Sequence, residues 1–273
     1  MNTLNDLHKI SSTFSNTEKM PVLFLGHGSP MNAIEENQFV TGFRNLAKTL
    51  PQPNAILCIS AHWFTNGTKV TAMEMPRTIH DFGGFPQALF EVQYPAKGSP
   101  ELAVETKELL KPIDVELDEH WGLDHGAWSV IKHLYPEANV PVIQLSIDYT
   151  KSPQYHFDLA KKLTDLRRKG ILIIGSGNIV HNLGNMNWHL PEAGFDWADA
   201  ANSQIKEAIA SKNHELLYQQ NLWDTSIKMS VPTLEHFLPL LYTLGLQEEH
   251  ETATLFNDKT IYGSISMTSI LIA

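Results

Sequence analysis

With 273 residues, 42% of them hydrophobic and 18% charged, the chain can bury a sizeable core and carries no compositional sign of disorder. A formal charge of −10 argues against nucleic acid or an anionic membrane as a partner, because those surfaces require clustered Lys and Arg. The single cysteine, Cys58, lies in the apolar run Ala55-Ile56-Leu57-Cys58-Ile59, which excludes an internal disulfide and fits a reducing, cytoplasmic setting.

Residues 1–19 contain no apolar h-region and read as a flexible arm, and no later stretch reaches the roughly 18 apolar residues that cross a bilayer. The remainder, 20–273, has no repeat, low-complexity tract or Pro/Ser linker and is expected to form one domain. Short runs rich in Val, Ile and Leu alternate with segments of helical period, the pattern of an α/β fold whose strands are covered on both faces. In chain order, strands are predicted at 21–26 (PVLFLG) and 55–60 (AILCIS). Residues 64–100, dense in Gly and Pro, read as a long ordered loop of the kind that covers a site. A helix is predicted over 101–110, a strand over 140–147, and a helix over 155–170 that closes on basic residues and Gly170. A strand follows over 171–175 (ILIIG), then helices over 198–211 and 234–245, the second starting late or kinking because of Pro239. A last strand is expected within 262–272.

The strand ends carry the chemistry. The first runs out into His27, the second into Ala61-His62, the third into Asp148, and the fourth into Ser176-Gly177-Asn178 and then His181. Ligands of open α/β sheets bind at that carboxyl edge, so histidines far apart in sequence can meet there. His125 in GLDHGAW and His236 in TLEHFLPLL complete five candidate imidazoles among thirteen histidines. Imidazole is the commonest transition-metal ligand and the usual proton shuttle near neutral pH.

Each residue alone has a plainer explanation, as a cap or a packing residue, or for His125 as part of a turn in which Asp124 bonds locally. His8, His156, His189, His214 and His250 lie in polar or helical surroundings and are expected at the surface. Asp81 can orient a ligand, bind a substrate amine or cap the Gly83-Gly84 turn, and Phe82, Phe85 and Tyr94 read equally as a lid or as ordinary packing. The GSGN stretch at 175–178 lacks the spacing of phosphate loops, and without a G-x-S-x-G elbow Ser29 and Ser176 are weak candidates for a hydrolase nucleophile. One cysteine excludes zinc ribbons and fingers.

The stretches LFLGHGSPMNAI, SAHWFT, IHDFGGFPQALFEVQYPAKGSPELA, GLDHGAWSVIKHLYP, VPVIQLSID, GSGNIVHNLGNM and PTLEHFLPLLYTLG together resemble the DOPA-dioxygenase branch of the class III extradiol ring-cleavage dioxygenases. The similarity spans nearly the whole chain beyond the arm. It implies a single α/β domain with a mixed, largely parallel central sheet flanked by helices and an active site at the carboxyl ends of the strands. It implies one non-haem divalent metal, Zn2+ or Fe2+, and opening of a catechol such as L-DOPA by O2 beside its hydroxyls, with 4,5-cleavage expected. Carried onto this sequence, the resemblance makes His27, His62, His181 and His236 metal ligands, His125 the acid–base group, and Asp81 and Phe82 substrate-facing residues.

The wider class uses two histidines and a glutamate, whereas Glu235 and His236 are adjacent here. Neighbouring helical residues point about 100° apart, so one of the two reaches the ion; His236 is favoured, with Glu235 as its rival. An all-histidine set suits zinc as well as Fe(II). A zinc-dependent metallohydrolase or a non-catalytic metal-binding protein on the same scaffold are the competing functions. The expected partners are a small catechol and O2, with neither nucleic acid nor membrane, for a monomer or small homo-oligomer.

Overall fold

In the computed structural model, which describes residues 17–273, the apolar runs assemble into one six-stranded sheet. Its strands are β1 (Val22–Gly26), β2 (Ala55–Ser60), β3 (Val142–Gln144), β4 (Ile171–Gly177), β5 (Ala253–Phe256) and β6 (Ser269–Ile272), in the spatial order β3-β2-β4-β1-β6-β5. The first four in that order run parallel, and β6 pairs antiparallel with both β1 and β5. The sheet is therefore mixed and largely parallel, as the sequence predicts. Residues 1–16, which hold His8 and most of the arm, lie outside the described residues.

The central strands are buried at every position because both faces are covered. On one face Val22, Phe24, Leu57 and Ile173 pack with Phe157, Ile205 and Leu241. On the other, Leu23, Leu25, Ile56 and Ile174 pack with Phe43, Trp128 and Ile131. Six helices supply these layers: α1 (Gln38–Ala47), α2 (Pro100–Leu109), α3 (His125–Leu134), α4 (Pro153–Lys161), α5 (Asp196–Ala210) and α6 (Leu238–Gly245). Each buried Leu, Ile or Phe contributes roughly 1.5–3 kcal/mol, so a one-residue slip of a central strand would be strongly penalised. The strand register, and with it the position of whatever follows each strand, is fixed by the core.

Several boundaries differ from the sequence reading for local reasons. Helix α6 begins at Leu238 with proline in its first turn, where the missing N–H costs nothing. The segment 155–170 breaks after Lys161, resumes over Thr164–Arg167 and ends at Gly170 with φ +76°. The run 140–147 splits because Leu145 bridges to Val70, leaving Ile147–Asp148 to pair with Phe64–Thr65. The stretch after residue 64 is less irregular than expected, since Thr68–Thr71 pairs with Val115–Asp118 and Gln87–Phe90 forms one helical turn. Strand β5 has no counterpart in the sequence reading; it is a short edge strand with two of its four residues exposed.

His156 is not a surface residue. It lies on the inward face of α4, fully buried, with Nδ1 2.9 Å from the Tyr242 hydroxyl. A polar partner inside the core makes burial tolerable where the sequence pattern suggests exposure. His214 is half-buried, with its ring 5.3 Å from that of Phe157. Among the described residues no helix is long and apolar enough to cross a membrane.

Candidate metal centre

Three parallel strands deliver histidines to one edge of the sheet. His27 directly follows β1, and its N–H is held by the carbonyl of Gly177 at the end of β4. Gly28 then turns the chain away with φ +62°, a conformation that favours glycine, and Ser29 caps the 3-10 turn Pro30–Ala33. His62 stands two residues beyond β2. His236 precedes α6 and is drawn to the sheet edge by the Asn178 N–H, which donates to its carbonyl at 2.9 Å. His27 Nε2 and His62 Nε2 are 3.3 Å apart, and one ligand atom from each of His27, His62 and His236 lies within 4.8 Å of the others. These three rings form the core of the site.

His125 and His181 flank the core on opposite sides. His125 is the first residue of α3, and its ring centroid is 3.8 Å from that of His62. His181 stacks on His236 with centroids 3.5 Å apart and planes 8° from parallel. Its ligand atoms group with those of Glu235 and His236 rather than with His27 and His62. Glu235 Oε1 is 3.4 Å from His236 Nδ1 and accepts from the Thr233 hydroxyl at 2.7 Å. It lies beside the rim histidines and is absent from the His27–His62–His236 group. Asp148, at the end of the third predicted strand, accepts from the N–H and hydroxyl of Thr150 and does not join the cluster.

An outer layer of polar groups holds the rings. Asp81 Oδ1 accepts the backbone N–H of His125 at 2.8 Å, while Oδ2 lies 3.0 Å from His125 Nδ1 and 3.4 Å from His62 Nδ1. Phe82, next in the chain, sets its ring edge-on to His125 at 5.5 Å. Asp124 caps α3 through the Ala127 N–H, and is fixed in turn by Ser60, Gln144 and Trp121. The sequence reading held Asp124 as a turn former only and passed over Ser60 and Gln144. Their signal was available in part: Ser60 ends a strand one step before the His62 segment, though nothing in sequence pairs it with Asp124. Ser176 donates its one proton to the Gly126 carbonyl and stands 2.9 Å from His27 Nδ1 as an acceptor, so His27 is not placed to activate it as a nucleophile.

Burial sets the protonation of the rings. It holds His27 well below the usual 6.5, with His62, His236, His125 and His181 adding to the effect. Burial followed by His125 lowers His62 to about 4, against the pull of Asp124, Asp81 and Glu235. Burial also brings His181 to about 4, and burial with His181 lowers His236 well below the ordinary value. Burial raises Asp81, but its contacts with His125 and His62 outweigh that and keep it an ionised carboxylate. At neutral pH these rings are therefore uncharged, each with a lone pair on one nitrogen, the state in which histidine binds a divalent metal. The nitrogen-rich set fits Zn2+ or Fe2+ and suits the hard, oxygen-seeking Mg2+ or Ca2+ poorly.

A family described as the catalytic LigB subunit of aromatic ring-opening dioxygenase matches residues 21–269. The chain is 47% identical over 269 residues to the 4,5-DOPA dioxygenase extradiol of Escherichia coli (strain K12), covering 96% of this chain and 98% of that one. It is 35% identical over 258 residues to the 4,5-DOPA dioxygenase extradiol of Beta vulgaris, covering 90% and 96%. The crystal structure of an uncharacterized protein from Escherichia coli K12 shares the fold with a TM-score of 0.82 at 43% identity, over 93% of this chain and 100% of that one. With histidines converging at the carboxyl edge of its sheet and a match over most of its length, the chain belongs to the LigB family of aromatic ring-opening dioxygenases.

Proposed function

We propose that the protein opens a catechol ring extradiol with O2, that L-DOPA is a substrate, and that cleavage is at the 4,5 bond. The single observation that carries this reading is the convergence of His27 Nε2 and His62 Nε2, which face each other at 3.3 Å, with His236 in reach of both. The names of relatives that match nearly end to end supply the substrate class. His27, His62 and His236 hold the ion, and His181, stacked on His236, braces that ring and is a fourth ligand donor at the rim.

A divalent metal held by these histidines would supply positive charge and Lewis acidity to the catechol oxygens and a route for electrons from the catechol to O2. Both oxygen atoms end in the product, so no separate reductant is required. Zn2+ has no redox chemistry, and we therefore assign Fe2+ as the working ion, with Zn2+ competing for the same nitrogens. His125 accepts a phenolic proton and returns it later, which is the work of an imidazole general base and acid. Asp81 fixes the start of the helix at His125 by accepting its backbone N–H and sets its other carboxylate oxygen 3.0 Å from Nδ1 of the ring. Phe82 offers an aromatic edge for the substrate ring beside His125. The buried floor of the site excludes water from the reacting atoms. The free, buried Cys58 suits a reducing, cytoplasmic setting.

Anaerobic loading with Fe2+ followed by L-DOPA and air tests the reading. The expected result is one O2 consumed per catechol with a yellow ring-opened product. A protein that binds the metal yet consumes no O2 with any catechol would instead be a hydrolase or a metal-binding protein.

A further inference from the structure

Ser176 stands at the end of β4, fully buried, in register with Ser60 at the end of β2. The two hydroxyls grip the first turn of α3 on either side of His125. Ser60 Oγ donates to Asp124 Oδ1 at 2.6 Å, and Ser176 Oγ donates to the carbonyl of Gly126. The grip is close enough to require glycine: a Cβ on Gly126 would lie 2.4 Å from Ser60 Oγ and 2.7 Å from His62 Cδ2.

The hydrogen-bond logic then fixes the state of His27. A backbone carbonyl can only accept, so the Gly126 bond uses the single proton of the Ser176 hydroxyl. Toward His27 Nδ1, 2.9 Å away, Ser176 can act only as acceptor. His27 consequently carries its proton on Nδ1 and keeps a lone pair on Nε2, the atom that faces His62. Outer partners of this kind fix the tautomer and direction of a ligating imidazole.

We propose that Ser176 is a positioning residue that selects the Nδ1–H tautomer of His27 and ties that ligand to the helix turn presenting His125. This rests on the reading of His27 as a metal ligand and His125 as the acid–base group. One hydroxyl then sets both the donor atom offered to the ion and the distance from the ion to the proton shuttle.

The test uses the full-length, metal-free protein with 15N-labelled histidine, in which nitrogen shifts and long-range couplings identify each tautomer. Wild-type His27 is expected as Nδ1–H and S176A is expected to populate Nε2–H, with Zn2+ affinity, read by chelator competition, lowered about 10–100-fold. An Nε2–H tautomer in the wild type, persistence of Nδ1–H in S176A, or unchanged Zn2+ affinity in S176A would each overturn the proposal, and the first requires no variant to fold. H27A separates the two levels. If H27A binds Zn2+ as tightly as the wild type, the ligand reading itself is wrong; if H27A loses the ion and S176A does not, only the role of Ser176 is wrong.

Discussion

Nε2 of His27 faces Nε2 of His62 across 3.3 Å, with both rings largely buried beyond the ends of β1 and β2, two parallel strands on either side of β4. With Nδ1 of His27 bonded to Ser176 and Nδ1 of His62 facing Asp81, the two Nε2 atoms are directed at one place, and burial keeps both rings uncharged and able to donate lone pairs to a cation there. Metal should therefore stabilise the fold. Ion present at about 1,000 times its dissociation constant adds about 4 kcal/mol, which for a chain of this size raises Tm by roughly 8–16 °C. Chelation should reverse the shift, and H27A and H62A should show no shift on adding metal. Differential scanning calorimetry with and without Zn2+ measures it; equal shifts in wild type and H27A would contradict the assignment.

The metal-free protein should lose stability as the pH falls below neutrality. His62, His181 and His156 have folded pKa values lowered to about 4, whereas an unfolded histidine titrates near 6.5. Between those values the unfolded chain binds more protons, so stability rises with pH across the window and is lost as pH falls through it. His156 offers a separate probe because it is outside the site, lowered first by burial despite the opposing pull of Asp148. Its shift corresponds to roughly 3 kcal/mol. Urea midpoints between pH 7 and 4 should fall less steeply in H156Q than in the wild type.

Asp81 should matter more for turnover than for assembly. D81N keeps the shape but removes the negative charge beside His125 Nδ1 and His62 Nδ1. The expected cost is about 10–100-fold in kcat, with a smaller change in metal affinity, because the His62 contact is the longer of the two. Stopped-flow single turnovers at saturating L-DOPA read the chemical step. A D81N protein that turns over normally but binds L-DOPA poorly would make Asp81 a substrate contact instead.

Gly126→Ala tests the tightness of the helix turn against the ligand shell. The added methyl meets Ser60 Oγ and His62 Cδ2 inside contact distance, and overpacking of this kind costs about 1–3 kcal/mol. Tm of the metal-free variant should drop accordingly, and metal affinity should fall as His62 is displaced. A variant with unchanged Tm and full metal content would show the turn to be looser than the packing indicates.

Much of this architecture is legible in the sequence because the central strands open as continuous apolar runs and close abruptly on Gly or Ser. Val22–Gly26, Ala55–Ser60 and Ile171–Gly177 stand out, and with them the convergence of His27, His62 and His181 on one edge. Strand β5 is hidden because a four-residue edge strand whose two middle residues are exposed has no periodicity to read. His156 was misjudged because its neighbours are polar on the outer face of α4, while its partner Tyr242 is remote in sequence. The same limit hides the pairings Ser60–Asp124 and Ser176–Gly126: both are contacts between segments, and only the strand register brings them together. The adjacency of Glu235 and His236 leaves two candidates for one position, and the distances between ligand atoms group His236, not Glu235, with His27 and His62.

Anomalous diffraction from crystals loaded with Fe2+ under anaerobic conditions, recorded at the iron edge, tests the metal-site assignment most directly. One peak is expected about 2.0–2.2 Å from the facing nitrogens of His27 and His62 and from the ring of His236, a distance ordinary for imidazole ligation. A peak centred between Asp81 and His125, or none within bonding distance of both His27 and His62, would contradict it.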